Sequence, residues 1–197
     1  MILGLTGGYC TGKSTAAAIL RAAGWAIVDV DDLGHRALEL SAAAVADLFG
    51  QRVLGADGKP DRRAIGAIVF SDHALLESYE ALVHPAMNAL VAEAVVMAGE
   101  LACVDAALLY RLPVAKECDA IIEIRAALPI RLLRAWRRDG LGPRAALARM
   151  AMQRPLWAAG RRYDSLRIIV GNSGNAGRLE RELGRSIGSI ISARRLN

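Results

Sequence analysis

The chain predicts an α/β fold, a five-stranded parallel sheet with helices on both faces, and three observations carry that expectation. Short apolar runs with the length of buried strands recur at residues 1–6, 25–28, 101–107, 120–124 and 167–170. Sequence with the 3.6-residue period of helices separates each run from the next, which is the βα alternation that builds a parallel sheet covered on both sides. The first run leads straight into a glycine-rich segment and then into an alanine-rich helix, in the order strand, loop, helix. Right-handed crossovers then fix the layering.

The glycine-rich segment, GLTGGYCTGKST over residues 4–15, fits G-x-x-x-x-G-K-[ST], with Gly7, Gly12, Lys13 and Ser14 in the four fixed places. Each position has a mechanical reason. Glycines let the backbone turn so that successive N–H groups point at phosphate oxygens. A helix starting near Lys13 adds the partial positive charge of its N-terminus. Lys13 can reach the β- and γ-phosphates, and the Ser14 hydroxyl can ligate Mg2+. The chain has only three lysines, Lys13, Lys59 and Lys116, and otherwise uses arginine. The loop nonetheless carries the compact point charge that suits a phosphate cradle better than a wide guanidinium.

Composition bounds the alternatives. With 197 residues and 54% hydrophobic content, the chain can bury a full core as one domain, or as one domain with an inserted subdomain. A formal net charge of +5 suits an anionic partner. No nucleic-acid partner is expected, because the arginines are spread along the chain and aromatics make up only 5% of it. Cys10, Cys103 and Cys118 are an odd number without metal-ligand spacing, so neither a disulfide framework nor a zinc site is expected. These features read as cytoplasmic, with no membrane-spanning segment.

In chain order, the second strand, residues 25–28, follows Gly24 and delivers Asp29, Asp31 and Asp32 at its C-terminal end. That edge of an open parallel sheet is where ligands gather. Asp31 is placed for chemistry, accepting a proton from a substrate hydroxyl or holding Mg2+ through water. Asp32 reads as the cap of a helix beginning at Leu33. Residues 41–54 continue helically to the turn cluster GADGKPDR. Residues 62–99 form a mostly helical block with one break, at Pro85. Its apolar spacing (Ile65, Ile68, Val69; Leu75, Leu76, Tyr79, Leu82, Val83) marks one buried face, as in an inserted helical arm. Arg62 and Arg63 at its base can hold an acceptor phosphate or lie solvated. His84, before Pro85, suits either a cap residue or a substrate ligand. The third strand carries Asp105 near its end, the place of a metal-side carboxylate. Between the fourth and fifth strands, Arg131, Arg134, Arg138 and Arg149 lie on two helices joined by DGLGP, a hairpin able to close over a nucleotide. Arg131 and Arg137 read as a solvated basic face. GNSG, residues 171–174, turns from the last strand into the terminal helix.

Together these residues resemble the dephospho-coenzyme A kinases, a family of P-loop kinases, over almost the whole chain. The resemblance rests on GLTGG with GKST, on VDVDD in place of the family's D-A-D, and on DRR followed by VFSD. It continues through LESYEALVHP, ALL after the third strand, RAWRRD for an R-x-x-x-R lid, RMAMQ, and YDSLRIIVGNSG. It implies a P-loop kinase core (1–54, 101–128 and 164–197), a helical substrate arm at about 60–100 and a helical lid at about 129–163. It also implies ATP- and Mg2+-dependent phosphorylation of the ribose 3'-hydroxyl of dephospho-CoA, by a monomer or weak homo-oligomer.

By position, the resemblance assigns ATP and metal to residues Gly8, Tyr9, Cys10, Thr11, Gly12, Lys13, Ser14 and Thr15, with Ser14 on the metal. Asp31 would orient or deprotonate the 3'-hydroxyl. Arg62, His84 and Leu108 would contact the acceptor, and Arg138 and Asn172 would lie near the adenine, with Lys13, Asp31 and Arg138 acting in catalysis. Two departures stand out: Arg111 occupies the place of a family glutamate, and Tyr9 and Cys10 replace a small apolar residue and a glycine. Near a helix N-terminus, Cys10 is expected to be oxidisable. Other readings of the loop are a different small-molecule kinase, for nucleosides, nucleotides or sugar acids, and a nucleotide-binding switch module.

Overall fold

A computed structural model describes residues 1–69, 71–153, 160–163 and 166–194. Phe70 of the VFSD segment, Asp164 and Ser165 of YDSL, and residues 154–159 of the expected lid lie outside the described residues. Strands β1 (Ile2–Gly7), β2 (Ala26–Asp29), β3 (Ala102–Asp105), β4 (Ala120–Arg125) and β5 (Arg167–Gly171) form one five-stranded sheet in the order β2-β3-β1-β4-β5. Parallel registers join β1 to β3 and β4, and β4 to β5. The anticipated α/β class with a parallel sheet is therefore the observed one, and the strands fall within a few residues of their expected places.

The chain divides into two compact units, residues 1–28 with 97–197, and residues 29–96. The first contains the sheet. Helix α1 (Lys13–Ala22) contributes Ala16 and Leu20, and the C-terminal helix, called α8 here (Ala176–Arg194), contributes Leu179, Leu183 and Ile190 to a core that also holds Leu3, Leu5, Ile122 and Ile124. Central strands covered on both faces need apolar residues at consecutive positions, not at alternate ones. Accordingly β4 buries all of Ala120 to Ile124. This same burial makes Glu123, 2% exposed, conspicuous.

The second unit is helical. Its elements are α2 (Val30–Leu40), α3 (Ala42–Phe49), α4 (Arg62–Val69) and α5 (His73–Met97). They close around Ala37, Leu38, Val45, Phe49, Val53, Ile65, Val69 and Val83. Two boundaries differ from expectation. Helix α2 starts at Val30, because the Asp29 carboxylate accepts from the backbone N–H groups of Asp31 and Asp32 at 3.0 and 3.3 Å; Asp29 is thus the cap, and Asp32 is in the first turn. Pro85 breaks nothing: it lies inside α5, and the interruption falls between α4 and α5 instead. There the Asp72 carboxylate accepts from the Ala74 N–H at 2.8 Å. A proline inside a helix forfeits one backbone hydrogen bond at a cost of about 3 kcal/mol. Packing of Leu75, Tyr79, Leu82, Val83, Met87 and Leu90 on the helical core offsets that cost. An 18-residue window of α5 has a mean hydropathy of 1.2, so by length and composition alone the helix could cross a membrane; Leu75, Tyr79, Leu82, Val83, Met87 and Leu90 of it pack on the unit's own core.

Candidate active site

Between the end of β1 at Gly7 and the start of α1 at Lys13, the chain reverses around Gly8. The Thr11 N–H and hydroxyl both donate to the Gly8 carbonyl, at 3.1 and 2.8 Å. Two residues take left-handed backbone conformations to complete the turn, Cys10 at φ +59° and Gly12 at φ +95°. A Cβ on Gly12 would stand 2.1 Å from Asn172 Nδ2, so conformation and space both require glycine there. The loop is fastened by side chains of later elements. Asn172, after β5, donates its amide to the Thr11 carbonyl at 2.8 Å. Arg134 of α6 (Leu128–Asp139) donates to the carbonyls of Thr11 and Asn172, at 3.0 Å each. Gln153 accepts from the Tyr9 N–H at 2.7 Å, and Arg131 Nε donates to the Tyr9 carbonyl at 2.8 Å.

Fastening carbonyls outward leaves the N–H groups that begin α1 to face an anion. Lys13 and Asp105 make an ion pair at the C-terminal edge of the sheet, with side chains 16% and 7% exposed. The ammonium is therefore stationed at the loop before any phosphate arrives. Ser14 and Thr15 lie exposed in the first turn of α1. Among the described residues no cluster of three or more His, Cys, Asp and Glu side chains could hold a metal ion.

At the loop's tip, Tyr9 is clasped by α6 and α7 (Pro143–Met152). Arg138 and Arg149 lie over its ring at 5.2 and 5.5 Å, and its phenol donates to Asp139. Arg138 spends its Nε and Nη2 on the two Asp139 oxygens, both at 2.9 Å. These hydrogen bonds, from Arg138 first and then Tyr9, hold the Asp139 carboxyl down at about 2. Cys10, expected to be oxidisable, is only 8% exposed and packs with Ala135, Ala146 and Met150. Its thiol is shielded from oxidants by the helices that grip Tyr9.

The helical unit holds Asp31, Arg62 and His84. Asp31 stands exposed in the first turn of α2. Arg62, exposed at the start of α4, lines a cleft of about 460 Å³ with His35, Lys59 and Asp61. His84 is half-buried in the middle of α5 and does not line that cleft. In the sheet unit, Leu108 is 40% exposed in the turn after β3, and Arg111 follows it.

Sequence reading missed three side chains. Arg131 is not a solvated residue; it is half-buried against the loop, and burial lowers its pKa. Arg134 had no assigned partner, although the spacing 131, 134, 138 already puts all three arginines on one face of a helix. Glu123 gave no signal at all, being a single carboxylate in an apolar strand. It accepts from Tyr110 Oη at 3.0 Å, Arg125 Nε at 2.5 Å and Arg167 Nη1 at 3.3 Å.

Comparison with known proteins identifies the family. Residues 1–177 match the family model described as dephospho-CoA kinase. The dephospho-CoA kinase of Anaeromyxobacter dehalogenans is 41% identical over 180 residues, covering 88% of this chain and 84% of that protein. That of Thermus thermophilus is 34% identical over 190 residues, covering 93% and 88%. Among solved structures, a Thermus thermophilus protein superposes with a TM-score of 0.81 at 32% identity, over 98% of this chain and 97% of that one. Dephospho-CoA kinase from Campylobacter jejuni shares the fold at a TM-score of 0.64 and 22% identity, over 96% of each chain. The family match runs from the phosphate loop through the Asn172 turn that fastens it and into the final helix, and on that ground this chain belongs to the dephospho-CoA kinase family.

Proposed function

We propose that this kinase transfers the γ-phosphoryl group of ATP directly to the ribose 3'-hydroxyl of dephospho-CoA, giving coenzyme A. The observation that carries the reading is the fastened phosphate loop with Lys13 already paired to Asp105. Lys13 meets the charge that spreads over the equatorial oxygens during transfer, and the N–H groups that begin α1 hold the β- and γ-phosphates. Asp31 orients the hydroxyl and accepts its proton as the O–P bond forms. The first turn of α1 fits Mg2+: the exposed Ser14 hydroxyl makes no hydrogen bond among the described residues, and this ion takes few protein ligands beside phosphate oxygens and water. Ser14 would hold the ion, which would supply positive charge against the negative charge that develops during transfer. Residues of about 60–100 serve as the acceptor arm, with Arg62 and His84 holding the acceptor, and residues of about 129–163 serve as the lid.

A coupled ADP-release assay tests this, with dephospho-CoA beside pantetheine, nucleosides and nucleoside monophosphates as acceptors. The expected result is rapid release with dephospho-CoA alone and a product phosphorylated at the 3'-position. Turnover with a different hydroxyl acceptor would leave the loop chemistry standing and overturn the acceptor.

A further inference from the structure

A cleft of about 280 Å³ opens beside the phosphate loop, walled by Gly8 and Thr11 of the loop, by Glu123 and Arg125 of β4 and by Arg131 of α6. Arg131 Nη2 lies 3.0 Å from the point where a Cβ on Gly8 would stand, so the guanidinium sits directly over the loop backbone. Its Nε is used on the Tyr9 carbonyl, which leaves the two terminal nitrogens for the cleft. Among the described residues no carboxylate pairs with Arg131. Burial lowers its pKa, with only Cys10 acting against it. A half-buried cation without a counter-charge is costly, and an anion arriving in the cleft removes that cost.

Its neighbours on the same helix are already engaged. Arg134 is spent on loop and turn carbonyls, Arg138 on both oxygens of Asp139. Arg149 of α7 lies over Tyr9. Across the cleft, Arg125 is anchored at Nε by Glu123, itself buried and fixed by Tyr110 and Arg167. Arg125 is 52% exposed, so one edge of its guanidinium is held and the other remains available. Two fixed guanidinium groups flanking a glycine backbone make a fork suited to phosphate oxygens.

We propose that Arg131 and Arg125 form a phosphate-binding subsite beside Gly8, and that Arg131, not Arg138, is the α6 arginine that meets a substrate phosphate. This rests on the kinase reading above. The phosphate comes from ATP or from the pyrophosphate of dephospho-CoA, and one set of titrations separates the two.

The experiment uses the full chain with Arg131→Gln, Arg131→Lys, Arg125→Gln and, as a control on the exposed side of α6, Arg137→Gln. Calorimetric titrations with ATP and with dephospho-CoA are paired with steady-state kinetics. Arg131→Gln weakens one of the two ligands by about 10- to 100-fold, as loss of a charge-assisted hydrogen bond does. Arg131→Lys recovers part of that loss, Arg125→Gln shows a smaller loss in the same arm, and Arg137→Gln is unchanged. A loss confined to ATP assigns the nucleotide's phosphate; one confined to dephospho-CoA assigns the acceptor's; either upholds the subsite. Unchanged affinity for both ligands together with unchanged kcat overturns it. Should Arg131→Gln not fold, inorganic pyrophosphate titrated into wild type and Arg125→Gln decides, since no loop contact of Arg125 is at stake. Weaker binding by the variant upholds the subsite, and equal binding overturns it. Wild-type turnover with dephospho-CoA is read independently of these variants, so failure of the acceptor assignment and failure of the subsite appear in different measurements.

Discussion

Asn172 donates its side-chain amide to the carbonyl of Thr11 at 2.8 Å, joining residues 161 apart in sequence. The turn after β5 therefore sets the shape of the loop after β1, and Gly12 is the residue that must yield space for it. Gly12→Ala would bring a methyl 2.1 Å from Nδ2 at a backbone φ of +95°. Its expected outcome is loss of ATP binding by calorimetry. Asn172→Ala, which removes the bond and leaves Gly12 free, should cost about 1 kcal/mol in urea unfolding and raise the KM for ATP without abolishing turnover.

Lys13→Ala should lower kcat by about 10² to 10³, the effect of losing a preorganised donor. Lys13→Arg should not restore it, because a planar guanidinium does not replace a point charge in a narrow cradle. Single-turnover kinetics with saturating ATP would check both: retained wild-type kcat in Lys13→Ala would remove Lys13 from the transfer step, and in Lys13→Arg would remove the need for a compact charge.

Asp29 and Asp31 differ in role although they are two residues apart. Asp29→Ala loses the cap on α2 and should cost about 1 kcal/mol of stability. Asp31→Asn should lower kcat while leaving ATP affinity and melting temperature near wild type. A strong loss of nucleotide affinity in Asp31→Asn would make it a metal-side residue instead.

Glu123→Ala removes the buried carboxylate that accepts from Tyr110 and Arg167. Removing one partner of a buried pair costs about 3 to 5 kcal/mol, so a large fall in the urea midpoint is expected. Arg125→Gln, with its side chain half in solvent, should change the midpoint far less.

Alkaline stability follows from the thiols and phenols. Burial pushes the Cys118 thiol from its ordinary 9.0 up to about 12, and it also raises Cys103 and Tyr110. A raised folded-state pKa means that the native protein binds these protons more tightly than the unfolded chain. Their contribution is complete below about pH 9 and is lost as pH climbs toward 12. Urea midpoints should hold level to pH 8 and fall from pH 9 upward, with a shallower fall in Cys118→Ala.

Much of this was legible in the sequence because it is local. The order strand, glycine loop, helix at residues 2–22 depends on neighbours only, and so do the apolar runs that became β1 to β5. Element ends were read less well for a reason that is also local but subtle. An aspartate at the end of β2 can cap with its own side chain, and which of Asp29, Asp31 and Asp32 does so depends on one turn of backbone. Pro85 looked like a break because propensity alone counts its missing hydrogen bond and cannot count the face it packs.

What the sequence by itself determined is the sheet, the phosphate loop, the lysine in it and the family, since each is written in short spans whose chemistry requires those residues. What only the tertiary structure decided is how side chains far apart in the chain share one place. Asn172 and Arg134 fasten the loop, Arg138 turns to Asp139 and Tyr9, Arg131 pairs with no carboxylate among the described residues, and Glu123 gathers Tyr110, Arg125 and Arg167. Periodicity tells which face of a helix a residue occupies, but the partner across that face is supplied by another element. Only the packed fold brings the two within the few ångströms over which charges and hydrogen bonds act.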